Sequence, residues 1–406
     1  MKQTLLTICI SLYNLIVFAQ NIETKSILKD VGDKKIVAIG EDTHGTREFQ
    51  VIRHYISKEL ILKKGFNMII LENPSDNMLQ FNKDLQKTSN LDSLMKKHLF
   101  SIYQTKEMKD FFLWVKQHNA NHKNKIILKG CDDSKLIAIE MLKESIKQYQ
   151  KNEVVDNLIQ ELLDTQLLSY SDYCTKYHKT EDKSKNRQIS FFAQIYDLVI
   201  KTKAVINSSN ISNSTINELI TELETVNLPY KKWSQGIFIS RDEIMANRVL
   251  FHATDPKNKI IVLAHNAHIS KKDIIDNEIG LMGKKIEEKM SNQYFSLGLL
   301  SADGKYSYIE NRFINNDTVY DDKLLSADFL DLNQNSWNSV LANNELYCNK
   351  YSNKESLSNL PEEKRKIRLV GYGKEEKDKD YYEISKLSDI YDAVILLKNT
   401  SNSNSL

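Results

Sequence analysis

Residues 36–54 read IVAIGEDTHGTREFQVIRH, and the spacing of the apolar side chains changes in the middle of this stretch. Residues 37–39 form a short apolar run, which is typical of a buried strand. From Thr46 onward, apolar residues return at intervals of three and four, and this period predicts one buried face of a helix. Glu41 and His44 lie in the turn between the two elements, where α/β folds place ligand sites. An ordinary strand-to-helix turn with a polar tip is the alternative.

A second apolar run, residues 66–71, follows this helix and ends at Glu72. Gly65 lies just before the run, in the position of a C-terminal helix cap. Strand, helix and strand within about thirty-five residues form a βαβ unit, and its right-handed crossover makes the two strands parallel. Glu41 and Glu72 are therefore expected at the same edge of the sheet. The sequence thus predicts an α/β fold with a largely parallel sheet flanked by helices.

Two later strands also end in polar residues. Residues 126–128 lead to Asp132, and residues 260–264 lead to His265 and His268. The carboxyl ends of parallel strands share one edge of a sheet, so these side chains are expected to converge with the first two acids. Polar side chains at the ends of buried strands cost free energy unless they have hydrogen-bond or ionic partners. Their convergence is therefore a stronger indication of a site than any one of them.

Composition and pattern divide the chain into five segments. The middle one is long, rich in Lys, Glu and Asn, and helical in its pattern. We interpret it as a helical insertion that walls one side of a cleft, and a helical layer without a substrate role is the alternative. The last segment is polar, and we expect it to be disordered. The segments are a signal peptide at 1–19, a first α/β part at 20–133, the helical insertion at 134–235, a second α/β part at 236–398, and the tail at 399–406.

Within the second α/β part, residues 294–300 predict another strand. The Asp303-Gly304 pair that follows is a hairpin signal. We therefore expect the chain to turn there and to return through residues 305–309.

The length and composition restrict the class of protein. A chain of 406 residues with 41% hydrophobic residues allows one large or two medium domains. The net charge is +2, with basic and acidic residues nearly balanced. A nucleic-acid footprint needs a clustered basic surface, so we expect no nucleic-acid partner.

The amino terminus resembles an export signal. Lys2 precedes an apolar segment at 5–18, and Ala19, with Val17 two positions before it, fits cleavage before Gln20. The apolar segment is short for a membrane span, so we expect a periplasmic or secreted protein without stable membrane insertion; an uncleaved anchor is the alternative. Cleavage leaves three cysteines, an odd number that favours no disulfide framework.

Several common catalytic motifs are absent from the sequence. It has no GxSxG elbow, P-loop, HExxH motif or glycine-rich dinucleotide fingerprint. Two mechanisms suit a cluster of carboxylates and histidines. A histidine oriented by a carboxylate acts as general base on water, or His and Glu bind a metal that activates the water.

Seven stretches carry a resemblance to a known family. They are GEDTHGTREF (40–49), GFNMIILE (65–72), LKGCDD (128–133), RDEIMANRVLFH (241–252), VLAHNAHIS (262–270), LMGKKIEEKMSNQYFSLGLL (281–300) and YDAVILL (391–397). In their content, order and spacing, the chain resembles the erythromycin esterase family, a group of metal-independent hydrolases that open macrolide lactone rings. The resemblance covers nearly the whole mature chain, and its specific parts are the Glu-x-x-His-Gly and AHNAH elements.

The resemblance implies roles for individual residues. His44 is implied as the general base that draws a proton from water, and Glu41 as its orienting partner. Arg47 and Asp132 are implied only as supporting or structural residues. The family also implies a mixed sheet flanked by helices, a broad cleft, and no cofactor or metal. The remaining active-site set, which positions water and substrate and stabilises the oxyanion, is Glu72, Arg53, His265 and His268.

Three classes of function follow from these observations. The leading one is a carboxylic-ester hydrolase that opens the lactone of an erythromycin-like macrolide and so gives macrolide resistance, with a small-molecule ester as the broader substrate class. The second is a metal-dependent hydrolase, or a periplasmic protein that binds metal or haem through the same Glu/His cluster. The third is a non-catalytic periplasmic binding protein.

Overall fold

The structure is a computed structural model, and it describes residues 24–132, 136–149, 151–181, 187–211, 213–274, 281–314, 317–377, 379–384 and 386–406. The predicted signal peptide, residues 1–19, lies outside the described residues. Within the described ranges, every helix is too short or too polar to cross a bilayer.

The strands have eight residues or fewer, except for two long strands in the carboxyl-terminal half of the chain. They are β1 Ile36–Ile39, β2 Met68–Pro74, β3 Ile127–Asp132, β4 Ile260–Leu263, β5 Tyr294–Ile314, β6 Asp317–Asp328, β7 Tyr351–Asn353, β8 Arg365–Arg368, β9 Tyr381–Ile384 and β10 Ala393–Thr400.

Helices separate most of the strands. They are α1 Thr24–Val31, α2 Arg47–Lys64, α3 Ser75–Leu85, α4 Leu91–His98, α5 Lys106–Asn121, α6 Leu136–Ile146, α7 Glu153–Leu167, α8 Tyr170–Lys176, α9 Arg187–Ser208, α10 Ser214–Trp233, α11 Arg241–Ala253, α12 Asn266–Ile269, α13 Met282–Met290, α14 Trp337–Ala342, α15 Lys354–Ser358 and α16 Leu387–Ile390.

The main sheet is mixed and largely parallel, which confirms the predicted fold class. Its strand order is β3-β2-β4-β1-β5-β10-β7, and β6 pairs with β5 outside this order. Strands β2, β4, β1, β5 and β10 pair in parallel, whereas β6 and β7 pair antiparallel to their neighbours. The four residues of β1 are all buried because β1 lies between two strands in the middle of the sheet.

The βαβ unit predicted from the first stretch is present. Helix α2 begins at Arg47 and ends at Lys64. Its C-terminal cap, Gly65, has a left-handed conformation with φ of 71° and donates its N–H to the carbonyl of Leu60. Phe49, Ile52, Ile56 and Leu60 are buried on one face of this helix. The strands β1 and β2 are parallel to each other because each pairs in parallel with β4, which lies between them.

The predicted hairpin at Asp303-Gly304 is wrong. Strand β5 continues without a turn from Tyr294 to Ile314 and then pairs with β6. Gly304 has φ of 109°, and a side chain there would lie 2.2 Å from the carbonyl oxygen of Thr400 in β10. The glycine therefore permits close strand pairing rather than a reversal, because β10 continues alongside β5 through this point.

The expectation of a disordered tail is also wrong. Strand β10 extends to Thr400, and residues 401–406 make backbone hydrogen bonds to two other segments of the chain. These bonds supply the order that the polar composition by itself does not predict.

The chain forms two compact units. Among the described residues, the first comprises those within 24–72, 81–129 and 249–406, and the second those within 73–80 and 130–248. The predicted helical insertion falls within the second unit, whose helices α6, α7, α9 and α10 enclose an apolar core of their own. Its role as the wall of a cleft stays a prediction.

Candidate active site

Strand register places three polar strand ends at one level of the sheet. Ile39 of β1 and Leu71 of β2 are both paired with Leu263 of β4. Glu41, Glu72 and His265 each follow within two residues of these positions. The convergence expected from the sequence therefore occurs for these three strands, all within the first unit.

The turn after β1 is held by its backbone. The carbonyl of Gly45 accepts hydrogen bonds from the N–H groups of Ser307, at 2.9 Å, and Ser403, at 3.0 Å. A Cβ atom on Gly45 would lie 1.8 Å from the carbonyl oxygen of Ser307. Only glycine fits this close approach, and the turn therefore presents the adjacent His44 in a defined position.

Glu41 is fully buried and connects two basic side chains. Its Oε1 atom lies 3.1 Å from Nδ1 of His44, and its Oε2 atom forms an ion pair with Nη1 of Arg53. Burial by itself would lower the pKa of Arg53, but the negative charges near it, chiefly that of Glu41, outweigh burial and raise this pKa. The guanidinium therefore stays charged and forms a buried ion pair with the carboxylate of Glu41.

The carboxylate determines the tautomer of His44. An ionised carboxylate only accepts hydrogen bonds, so Nδ1 carries the proton and Nε2 carries the lone pair. Nε2 has no hydrogen-bond partner among the described residues, and the side chain of His44 is 3% exposed. This is the arrangement that a histidine needs to accept a proton from water.

Aromatic rings surround the imidazole of His44. The ring of Tyr372 stacks on it at 4.4 Å between centroids and 21° between planes, and the ring of Tyr103 meets it edge-on at 5.9 Å. The hydroxyl of Tyr103 lies 3.3 Å from Nδ1. Both tyrosines were missed from the sequence, because they lie in segments remote from residue 44 and follow no periodic pattern.

Glu72 connects the second strand end to the AHNAH segment. Its Oε2 atom accepts the backbone N–H of His265 at 2.8 Å, and its Oε1 atom lies 3.2 Å from Nε2 of His268. The side chain of His268 is 16% exposed, whereas Glu41, Glu72 and Arg53 are buried almost completely. His268 is therefore the most solvent-accessible of the six predicted site residues.

His265 has a different environment from the other two histidines. Its Nε2 atom lies 3.2 Å from the carbonyl oxygen of Asp42 and 3.1 Å from that of Val370, so this nitrogen is a donor. Its Nδ1 atom accepts the N–H of Ala267 at the start of α12. Burial lowers the pKa of His265 to about 3. The imidazole is therefore neutral with both nitrogens engaged, and its geometry favours a positioning role over proton transfer.

Asp42 was also missed, although it follows Glu41 directly in the sequence. Its carboxyl group accepts hydrogen bonds from the backbone N–H and hydroxyl of Ser301, at 2.7 and 2.9 Å, and from the amide of Asn338. Burial raises the pKa of Asp42 to about 7, against the opposing charge of Arg368. Because the Asp42 carbonyl also binds His265, Asp42 connects this histidine to Ser301 and Asn338.

The two weaker sequence candidates make structural ion pairs. Nε of Arg47 lies 3.4 Å from Glu107. Asp132, in the second unit, binds Arg241 through both carboxylate oxygens at 2.7 and 2.6 Å. Their supporting roles stay predictions.

The side chains of Glu41, Arg53, Glu72 and His265 already have partners inside the site. No group of three or more His, Cys, Asp or Glu side chains arranged to hold a metal ion occurs among the residues that the structure describes. Arg53 supplies the positive charge next to Glu41, and His265 uses both ring nitrogens. Neither residue is oriented as a metal ligand.

A sequence profile of the family described as Erythromycin esterase matches residues 61–400 of this chain. The chain belongs to the erythromycin esterase family. Among characterised relatives, erythromycin esterase type II of Escherichia coli is 28% identical over 306 residues, which cover 69% of this chain and 72% of that protein. Membership of the family makes this chain an esterase that acts on a small-molecule ester.

Solved structures share the fold of this erythromycin esterase family member. A Bacillus cereus protein has a TM-score of 0.73 at 20% identity, covering 94% of this chain and 92% of that one. A mutant of the erythromycin esterase EreC, in its open conformation, has a TM-score of 0.66 at 16% identity, covering 93% and 94%. At these identities the likeness concerns the fold.

Proposed function

We propose that this esterase opens the lactone ring of an erythromycin-like macrolide by general-base activation of water, with His44 as the base. One observation carries the proposal. Glu41 binds Nδ1 of His44 at 3.1 Å and is itself paired with buried Arg53, which leaves the lone pair on Nε2 of His44. The family and the erythromycin esterase of Escherichia coli support a macrolide as the substrate.

The first chemical step forms the bond between water and the acyl carbon. As the water oxygen attacks the lactone carbonyl, its proton moves to Nε2 of His44, and the carbonyl oxygen becomes an oxyanion. The resulting imidazolium is stabilised through Nδ1 by Glu41, whose charge is fixed before the reaction by Arg53. Arg53 therefore acts through Glu41 rather than on the substrate.

The second step breaks the acyl carbon–oxygen bond of the lactone. The oxyanion collapses, the alkoxide leaves, and it takes the proton from Nε2 of His44, which regenerates the base. The product is an open hydroxy acid that contains one added water. His268, the most exposed member of the set, is placed beside the charge of Glu72 and donates to the oxyanion during these steps.

The test is mass spectrometry of erythromycin incubated with purified residues 20–406. We expect a mass gain of one water with the unaltered protein and none with His44→Ala. His122→Ala is the matched control, because His122 is an exposed histidine at the end of α5 whose ring stacks on His118. Loss of turnover in this control as well would point to a general effect of removing a histidine. Equal turnover in the His44→Ala variant would exclude His44 as the base.

Hydrolysis of simpler esters is tested in the same way. If several macrolides gain no water while short acyl esters are hydrolysed, the esterase chemistry stands and the macrolide substrate is excluded. The His44→Ala variant lacks the proton acceptor, so we then expect it to hydrolyse those esters at least about a hundredfold more slowly.

We also propose that the protein is exported and confers macrolide resistance. The amino-terminal sequence, with Lys2, the apolar segment at 5–18 and Ala19, supports export. In a susceptible Gram-negative host, the full chain is expected to raise the inhibitory concentration of erythromycin, and the His44→Ala chain is not. Osmotic-shock fractions that lack the protein, or a mature protein that still begins at Met1, would contradict export by cleavage.

A further inference from the structure

Residues 401–406, SNSNSL, run alongside the turn that carries His44, and we refer to them as the tail strap. The backbone N–H and the hydroxyl of Ser403 both donate to the carbonyl of Gly45, at 3.0 and 2.9 Å. The carbonyl of Ser401 accepts the N–H of Arg47 at 2.9 Å. The tail strap therefore binds the turn at two points directly after His44.

The same strap also binds the segment that carries Tyr103. The carbonyl of Asn404 accepts the N–H of Lys106 at 2.8 Å. The backbone and side-chain nitrogens of Asn404 donate to the carboxylate of Glu107, at 3.1 and 2.5 Å. Tyr103, three residues before Lys106, lies 3.3 Å from Nδ1 of His44 through its hydroxyl.

Gln50 joins these two attachments. Its side-chain nitrogen lies 3.4 Å from the carbonyl of His44 and 3.3 Å from the hydroxyl of Ser403. Its side-chain oxygen accepts the hydroxyl of Thr105 at 2.7 Å. The tail strap, the turn and the Tyr103 segment thus form one hydrogen-bonded unit around His44.

We propose that Ser403 is a positioning residue for His44, and that the tail strap holds the catalytic turn against the Tyr103 segment. This inference rests on the proposed role of His44 as the base. Five of the six strap residues are polar, so the strap adds little apolar burial and acts through hydrogen bonds to backbone groups. Its loss should therefore displace His44 more than it weakens the core.

The first test removes the tail strap by ending the chain at Thr400. We expect kcat to fall by about a hundredfold with little change in KM, since a displacement of about 1 Å at a catalytic group has an effect of this size. A peptide of residues 399–406 added in trans should restore part of kcat in a saturable manner, and a scrambled peptide of the same composition should not. Activity equal to that of the full chain would overturn the proposal.

A point variant tests the same idea if the shortened chain does not fold. Ser403→Ala removes the hydroxyl that binds Gly45 and Gln50, and we expect kcat to fall by roughly threefold to tenfold. Ser403→Thr retains a hydroxyl group at this position, and its kcat should therefore be close to that of the unaltered protein. The matched control is Ser405→Ala, since the hydroxyl of Ser405 donates to the carbonyl of Leu406 and has no other hydrogen bond to the part of the chain that the structure describes. Equal kcat in the Ser403 and Ser405 variants would overturn the role of Ser403.

Nuclear magnetic resonance of ¹⁵N-labelled histidines gives a readout that does not depend on the substrate. Removal of the tail strap should shift or broaden the ring signals of His44, assigned with the His44→Ala variant, and Ser405→Ala should leave them unchanged. If the full chain hydrolyses no ester, the proposed function fails, and this measurement still decides the inference. Unchanged His44 signals in the shortened chain would refute it.

Discussion

Replacing Glu41 with glutamine should reverse the tautomer of His44. Arg53 presents only donors to this side chain, so the amide oxygen of the introduced glutamine must face Arg53. The amide NH₂ group then faces Nδ1 of His44, which must become the acceptor. The ring proton moves to Nε2, and the lone pair that accepts the proton of water is lost.

The expected loss of kcat in Glu41→Gln is about 10³- to 10⁴-fold, the size seen when a histidine base is held in the wrong tautomer. The substitution also removes the partner of a buried guanidinium, which typically costs about 3–5 kcal/mol of stability. Here Glu72 remains near Arg53 and retains part of the compensating charge. We therefore expect a folded variant with a lower melting temperature and very low turnover.

The second variant of this test is Glu41→Gln combined with Arg53→Met. Without the guanidinium, the amide of the glutamine can turn its oxygen toward Nδ1 of His44, and the productive tautomer returns. We therefore expect kcat to rise at least about tenfold over the single variant, which is a small part of the tautomer effect. The assay is steady-state hydrolysis with the ¹⁵N signals of His44 recorded on the same samples. A Glu41→Gln variant with kcat within about tenfold of the unaltered protein, or a double variant no faster than the single one, would refute the tautomer argument.

Three further predictions concern other groups of the site. Tyr372→Leu removes the ring stacked on His44 and should lower kcat by about twofold to tenfold, whereas Tyr372→Phe should match the unaltered protein in the same kinetic assay; equal losses would exclude stacking as the cause. The native fold keeps Asp42 protonated up to about pH 7, whereas the unfolded carboxyl ionises near 3.8, so native stability contributed by this group falls as pH rises between these values. Asp42→Asn should remove that fall, on the order of 4 kcal/mol, and denaturant unfolding of both proteins at about pH 4 and pH 8 measures it; parallel pH profiles would contradict the assignment. Dialysis against a chelator should leave hydrolysis unchanged, because Arg53 already supplies the charge beside Glu41; activity lost on dialysis and restored by a divalent metal would show a metal-dependent mechanism.

Local sequence was sufficient to predict the first βαβ unit of the fold. The apolar run before Gly40, the helical period from Phe49 to Leu60 and the cap at Gly65 all act over a few residues. Such signals can be interpreted from the sequence alone because they reflect local burial and backbone conformation. They also placed Glu41 and Glu72 at strand ends, and the parallel pairing with β4 brings those ends level.

Predictions from local composition were wrong where long-range pairing outweighed local conformational preference. The Asp303-Gly304 pair has the pattern of a turn, yet β10 pairs alongside it and keeps β5 extended. The tail is almost entirely polar, yet hydrogen bonds to Glu48 and Glu107 hold Ser401 and Asn404 in place. These partners are hundreds of residues away along the chain, so no local pattern reports them.

The sequence by itself determined which residue types reach the site and the family to which the chain belongs. Only the tertiary structure decided their separate roles. His44 and His265 have the same side chain, but an ionised Glu41 leaves one with a free lone pair on Nε2, and two carbonyls with the N–H of Ala267 occupy both nitrogens of the other. The role of a histidine depends on which partner each nitrogen has, and those partners come from strands and loops that meet only when the chain folds.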